Sequence, residues 1–149
     1  MNKYKLTTNT KVNFLDITLF QIQATVSFGN VKEGDLGGWI ESEKNLSQEG
    51  DAWVSGDALV YGNAQVFGNA WVYGNAWEKS PLQIQGTRHF VNICKIGYIQ
   101  IGCLSLSFEN WKKSFSEIGK KEGYTEKQIK EYEIYINLII DMYPITKTV

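Results

Sequence analysis

The chain is poor in the residues from which many active sites are assembled. Its 149 residues include one histidine, His89, two cysteines, Cys94 and Cys103, and one arginine, Arg88, among 15 Lys+Arg. A structural zinc site takes about four protein ligands and a catalytic one about three. Reaching that number here would consume His89, both cysteines and a carboxylate, with no Cys-x-x-Cys pair as anchor, so neither a metal nor another cofactor is expected. Forked recognition of a phosphate or carboxylate is open to Arg88 alone. An excess of one charge is also missing: 15 Lys+Arg against 16 Asp+Glu leave −1. That argues against a coat on duplex nucleic acid, which needs many phosphate contacts. No apolar run approaches the roughly 20 residues of a membrane span. The opening MNKYKLTTNT lacks the apolar core of a secretory signal, so the expected location is the cytoplasm. In that reducing setting the cysteines read as thiols on neighbouring strands, and their spacing also admits a hairpin disulfide.

What is present is a repeat. Hydrophobic residues make up 43% and charged residues 21%, a globular balance. From Gly50 the chain reads GDAWVS, GDALVY, GNAQVF, GNAWVY, GNAWEK. Glycine recurs at 50, 56, 62, 68 and 74, Ala two residues later each time, and Val at 54, 60, 66 and 72 until Glu78 breaks the frame. A period of six suits neither a helix nor a coiled coil and matches hexapeptide parallel β-helices. Ala and Val sit two apart, so in an extended rung both face inward. Gly followed by Asn or Asp makes the corner, because these residues best tolerate positive φ. The frame resembles the left-handed hexapeptide β-helix of acyltransferases and γ-class carbonic anhydrases, and left-handedness is what that resemblance implies.

Five rungs make fewer than two triangular coils, so flanking segments or other chains must cover the ends. The expected organisation is an N-terminal β cap over 1–45, the repeat over 46–80 and an α+β domain over 81–149. In the cap, Leu15, Ile17 and Leu19, then Phe20, Ile22 and Ala24, alternate as a strand that shifts phase near Phe20. GDLGGWI, Gly34 to Ile40, reads as a glycine-rich turn with an apolar anchor, the first irregular coil. Leu46 lies eight residues before Val54, which breaks the six-residue register.

Positions beside the inward residues must point outward: Trp53, Leu59, Tyr61, Phe67, Trp71, Tyr73 and Trp77. One coil apart, Trp53 is expected over Trp71 and Leu59 over Trp77. Aromatic side chains offer about 150–250 Å² each for burial, worth several kcal/mol together at about 25 cal/mol per Å². Such a row is expected to be an interface, with another copy, with the same chain's C-terminal segment or with a ligand.

Beyond Pro81, Leu82, Ile84, Val91, Ile93, Ile99 and Ile101 alternate with polar residues as a β-meander turning near Lys95 to Gly97. Ser107 reads as the N-cap of a helix with Phe108, Trp111, Phe115 and Ile118 on one stripe, ended by Gly123. Thr125 and Gln128 form a capping box for a second helix with Ile129, Tyr132, Ile136, Ile139 and Tyr143 on one face, stopped by Pro144. The lysine pairs 112/113 and 120/121 lie off the stripe and read as solvated. Thr87-Arg88-His89 gathers the scarce residues. One reading is an anion pocket, with Arg88 forking onto phosphate and Thr87, His89 and Lys95 adding donors; the other is a hairpin edge with exposed polar residues.

VKEGDLGGWIESEKNLSQEGDAWV, the G-N-A-x-V repeats, QGTRHFVNI and FENWKKSFSEIGKKEGYTEKQIKEY together resemble a family of small phage and prophage hexapeptide-repeat proteins of unknown function. The resemblance spans nearly the whole chain and carries no catalytic residues to transfer. It implies an infected bacterial host and a role against host defence, for which oligomeric sponges that trap nucleotide signals are a precedent. The function expected is a non-enzymatic, self-associating protein, a trimer or hexamer, that sequesters a small nucleotide-type anion. A structural or assembly module, or an inhibitor of a host protein, is the alternative. Hexapeptide acyltransferases place a general-base histidine beside the coil, and here the one histidine lies outside the repeats; a γ-class carbonic anhydrase needs three.

Overall fold

The computed structural model describes residues 2–145, so the expected domain ends at Met1 and at 146–149 lie outside the described residues. The chain divides into two compact units, Met1–Pro81 and Leu82–Val149. It is mixed, with more strand than helix and two helices.

In the first unit, β1 (Tyr4–Val12) and β2 (Thr18–Ala24) form an antiparallel hairpin. Leu19, Ile22 and Ala24 are the fully buried residues of β2. The odd spacing of Leu19 and Ile22 fits the expected phase shift, and β2 is irregular against its next neighbour between Gln21 and Gln23, but Leu15 and Ile17 lie outside the strand, in the turn between β1 and β2, with Leu15 exposed. That neighbour is β3 (Leu36–Ile40), antiparallel to β2. GDLGGWI is thus a strand beyond its Gly34 turn, and its paired glycines serve close approach. A Cβ on Gly37 would lie 2.6 Å from the Val54 carbonyl oxygen and from Ile22 Cγ1, and one on Gly38 2.8 Å from the Ala58 oxygen.

β3 is also where the sheet changes sense, because its other edge pairs in parallel with β5 (Leu59–Val60). Beyond β5, in parallel again, lies β7 (Ala76–Trp77). A second parallel pair joins β4 (Trp53–Val54) to β6 (Trp71–Val72), and a third column is the parallel bridge Leu46↔Val66. Ala52, Ala58, Ala64 and Ala70 and Val54, Val60, Val66 and Val72 are all fully buried, as the inward reading requires. Gly50, Gly56, Gly62 and Gly68 turn the corners at φ between 59° and 69°, where an L side chain is strained.

Spacing between partners tells where the repeat departs from itself. Trp53 meets Trp71, three repeats on. Trp39 meets Leu59 and Leu46 meets Val66, two residues longer than three repeats. A 3₁₀ turn, Glu43–Asn45, lies in this longer coil. The buried Asn45 side chain there donates to the Ala64 and Gly62 oxygens at 2.9 and 3.2 Å and accepts from Ser42 N at 3.0 Å. At the other end Leu59 meets Ala76 and Val60 meets Trp77, one residue short. A one-residue slip exchanges the faces of a strand: Ala76 is exposed and Trp77 is buried in the slot of a valine. The expectation that Trp77 points outward over Leu59 is overturned. Glu78 stands where the repeat would bring its inward valine, and the slip keeps that carboxylate outside while Trp77 fills the interior, its Nε1 donating to the Gly74 oxygen at 2.8 Å. The turn has moved with it, onto Asn75 at φ 66°.

Two more of the outward row are not free surfaces. Trp53 is 3% exposed, packed edge-on against Phe28 and Tyr4 at centroid distances of 5.3 and 6.4 Å, and Tyr61 is buried as well. The cover over Trp53 is the N-terminal segment, not a second copy. Leu59, Trp71 and Tyr73 are half-buried and Phe67 is exposed. The same segment fastens the loop before β4. Lys3 Nζ donates to the Ala52, Gly50 and Glu49 oxygens at 2.7, 3.2 and 3.3 Å, and Tyr4 Oη to the Leu46 oxygen at 2.6 Å. Burial pushes the Lys3 ammonium down to about 8, against the pull of Asp51.

In the second unit, β8 (Gln83–Gln85), β9 (Phe90–Lys95), β10 (Tyr98–Ile101) and β11 (Leu104–Ser107) make an antiparallel meander in sheet order β11-β10-β9-β8. α1 (Phe108–Lys121) follows, capped by Ser107 Oγ, which accepts from Asn110 N at 3.2 Å. Phe108, Trp111 and Phe115 are its buried stripe, and the lysine pairs are exposed. α2 (Glu126–Met142) opens with the Thr125–Gln128 capping box, at 3.0 and 3.1 Å. Tyr132, Ile136 and Ile139 are its buried residues. Both cysteines are free thiols, Cys94 buried with its sulfur 3.3 Å from Ser105 Oγ and Cys103 exposed, which removes the hairpin disulfide.

Candidate functional site

Thr87, Arg88 and His89 lie in the loop between β8 and β9, and the helices hold that loop through side chains. Tyr132, on the buried face of α2, presents its hydroxyl to the loop backbone. It accepts from Arg88 N at 2.9 Å and His89 N at 2.6 Å and donates to the His89 oxygen at 2.9 Å. A Cβ on Gly86 would collide with this hydroxyl, so the loop reaches the helix only with glycine there. The residue preceding Tyr132, Glu131, accepts from Thr87 N at 2.9 Å, from Thr87 Oγ1 and from Tyr135 Oη at 2.6 Å. The Thr87 hydroxyl, then Tyr135, holds the Glu131 carboxyl below its usual range, and the same carboxylate pushes Tyr135 up to about 12.

Arg88 is exposed; it donates through one terminal nitrogen to the Glu122 oxygen and lies 4.8 Å over the Tyr124 ring. His89 stacks on the same ring at 5.6 Å and bonds Tyr124 Oη through Nδ1. Burial, then the neighbouring Tyr132, pushes Tyr124 up to about 12, with Arg88 pulling the other way. Tyr124 is therefore a neutral phenol at physiological pH. The tautomer in which it donates to Nδ1 leaves the other ring nitrogen of His89 carrying a proton.

His89 and Tyr124 line a cavity of about 90 Å³ whose other walls include Trp111, Phe115, Cys103 and Glu122. A void of ~150 Å³ encloses benzene. This one seats the edge of a planar ring rather than a whole nucleotide. The Trp111 indole in its wall donates to the Ile99 oxygen at 2.7 Å.

The structure brings Thr87, Arg88 and His89 together and separates Lys95 from them. Lys95 ends the strand that His89 precedes, roughly 20 Å away at about 3.3 Å per residue, and its ammonium lies 5.2 Å over Tyr98. A pocket that includes Lys95 is excluded by that strand. The Thr87 hydroxyl and the Nδ1 atom of His89 are engaged by Glu131 and Tyr124, whereas the Arg88 guanidinium is exposed and has more N–H groups than its bond to the Glu122 oxygen uses. Sequence reasoning missed Tyr124, Glu131, Tyr132 and Tyr135. The available signal was a tyrosine at a core-facing position of α2, since a buried phenol brings a hydroxyl that must find a partner. Among the described residues no group of three or more His, Cys, Asp or Glu could hold a metal ion, and no helix is long and apolar enough to cross a membrane. In comparisons with known proteins, no family model matches the chain and no curated protein matches it.

Proposed function

We propose that this chain is a non-enzymatic binding protein of phage origin that counters host defence by sequestering a small nucleotide-type anion. In this reading the repeats wind as a left-handed hexapeptide β-helix and serve as scaffold, and ligand is taken in the second unit. The observation that carries the reading is the pairing of an aromatic-walled cavity with the exposed Arg88 guanidinium beside it. A base edge enters the cavity that Trp111, Phe115 and Tyr124 help to line, with apolar contact to those rings. The remaining Arg88 donors take the phosphate. Glu122 at the wall favours a ring bearing amino or imino hydrogens. The parallel columns supporting the coil are Trp39–Leu59–Ala76, Trp53–Trp71 and Leu46–Val66.

Calorimetry with cyclic AMP, cyclic di-AMP and ADP-ribose tests it, followed by recovery of the ligand after the protein is denatured. Heat from at least one of them is expected, with the ligand returned intact and its affinity lowered about tenfold or more by Arg88→Ala. The absence of heat from all three, or the return of a cleaved ligand, contradicts the reading.

A further inference from the structure

We propose that the outer face of α2 is a self-association surface on which a second copy of the chain lies antiparallel. Among the described residues, none that lines the cavity lies on α2. A surface helix ordinarily has one apolar stripe, and α2 has two. Tyr132, Ile136 and Ile139 are buried in the chain's own core, while Ile134, Leu138, Met142 and the following Ile145 are 66, 42, 58 and 59% exposed. Positions 127, 130, 134, 138 and 141 recur every three or four residues and so share this outer side. They carry lysine at one end and aspartate at the other: Lys127, Lys130, Ile134, Leu138 and Asp141.

Charge selects the occupant and its direction. A helix C-terminus is the negative end of the macrodipole and favours cations. The last turn of α2 has no basic residue, and the exposed Asp141 adds to its negative charge. An antiparallel second copy supplies what is missing. With the two-fold axis between Ile134 and Leu138, each Ile134 meets Leu138 of the other copy. Lys130 then meets Asp141 of the other copy, and Lys127 reaches its last carbonyls. A parallel pair would set lysine against lysine and aspartate against aspartate. An anionic lipid surface fits less well, because Asp141 and the exposed Glu133 flank the stripe. α2 is about 25 Å long at 1.5 Å per residue, enough for several turns of side chains to interleave.

Sedimentation equilibrium of the full chain from 1 to 100 µM tests the proposal. The wild type is expected at twice the chain mass, and Ile134→Glu at the chain mass with an unchanged far-UV spectrum. Lys130→Asp and Asp141→Lys are each expected to weaken the pair about tenfold or more, and the double exchange K130D/D141K to restore it to within about threefold. The charge exchange keeps the test decisive should Ile134→Glu disturb folding. A wild type at the chain mass throughout overturns the proposal, as does a dimer indifferent to these changes or a double exchange no tighter than its parents. A monomeric wild type that cosediments with phosphatidylglycerol vesicles overturns it in favour of a membrane surface.

Discussion

The two units hold their chain together by different means. In the first, the repeating part is fastened backbone to backbone. Trp53 N meets Ala70 O at 3.0 Å and Ser55 N meets Val72 O at 2.8 Å, and the side chains inside are mostly alanine and valine, the Asn45 amide and the Trp77 indole being polar exceptions with partners of their own. In the second, a polar loop is held by tyrosine and glutamate side chains reaching from α2, residues more than forty positions away in the chain. Periodicity therefore specifies one unit, and a few particular hydroxyls specify the other. Substitutions should act accordingly: steric in the first unit, hydrogen-bonding in the second.

The largest effect expected is from Gly37→Val. Its Cβ would enter the space of the Val54 carbonyl and Ile22, neither of which can withdraw without breaking β3 from its neighbours. A loss of about 3 kcal/mol or more is expected in urea unfolding, with the near-UV signal of Trp53 lost and the hydrogen-exchange protection of α2 kept. Common loss of both signals would break the contrast between the units. Next is Tyr132→Phe, which keeps the ring and removes the hydroxyl. The Arg88 and His89 amides are left without their partner, at a cost of about 2 kcal/mol. Chemical denaturation followed by an α2 probe checks it, and a change below about 0.5 kcal/mol would show that the loop is held by packing alone.

Glu78→Val tests the register slip with a smaller energetic effect. It returns an inward valine to the frame, so the last rung is expected to recover the full repeat spacing and Trp77 to turn outward. A red-shifted, more readily quenched tryptophan emission is the expected readout, with stability within about 1 kcal/mol of wild type. Unchanged emission would mean that something other than Glu78 sets the slip. The smallest effect is acid sensitivity in the second unit. The carboxyl of Glu131 is held below its ordinary 4.5, so the folded form binds fewer protons than the unfolded one around and below that pH. The stabilisation from the Thr87 clamp is full above pH 4.5 and is lost as pH falls through the lowered folded value. Glu131→Gln is expected to flatten that slope when stability is measured from pH 6 to pH 3; an identical slope would remove Glu131 from the account.

Legibility followed the same division. The inward alanines and valines and the glycine corners up to Val72, both helix caps and the meander were readable, because each rests on a local rule or a fixed period; Ala76 and the Gly74 corner, in the last rung, were not. Trp77 was misread because the period was extended one rung beyond its last valine, and slot occupancy there depends on which residue best closes the interior. Trp53 was assigned to an interface because nothing local announces that Phe28 and Tyr4 lie over it. The scarce residues of the loop were noticed, but their partners were not. Glu131 and Tyr132 are ordinary residues of an amphipathic helix until the loop is folded against them, and Lys95 looked close only because it is near in sequence.

The claim that ligand is taken beside His89 and not on the repeats is tested most directly by a ¹H–¹⁵N correlation spectrum of the full chain, titrated with whichever of the three nucleotides gives heat. The account predicts shifts at the Trp111 indole N–H and at the Gly102 and Cys103 amides, with Val54, Val60, Val66 and Val72 unmoved. Shifts confined to the repeats, with the Trp111 indole unchanged at saturation, would contradict it.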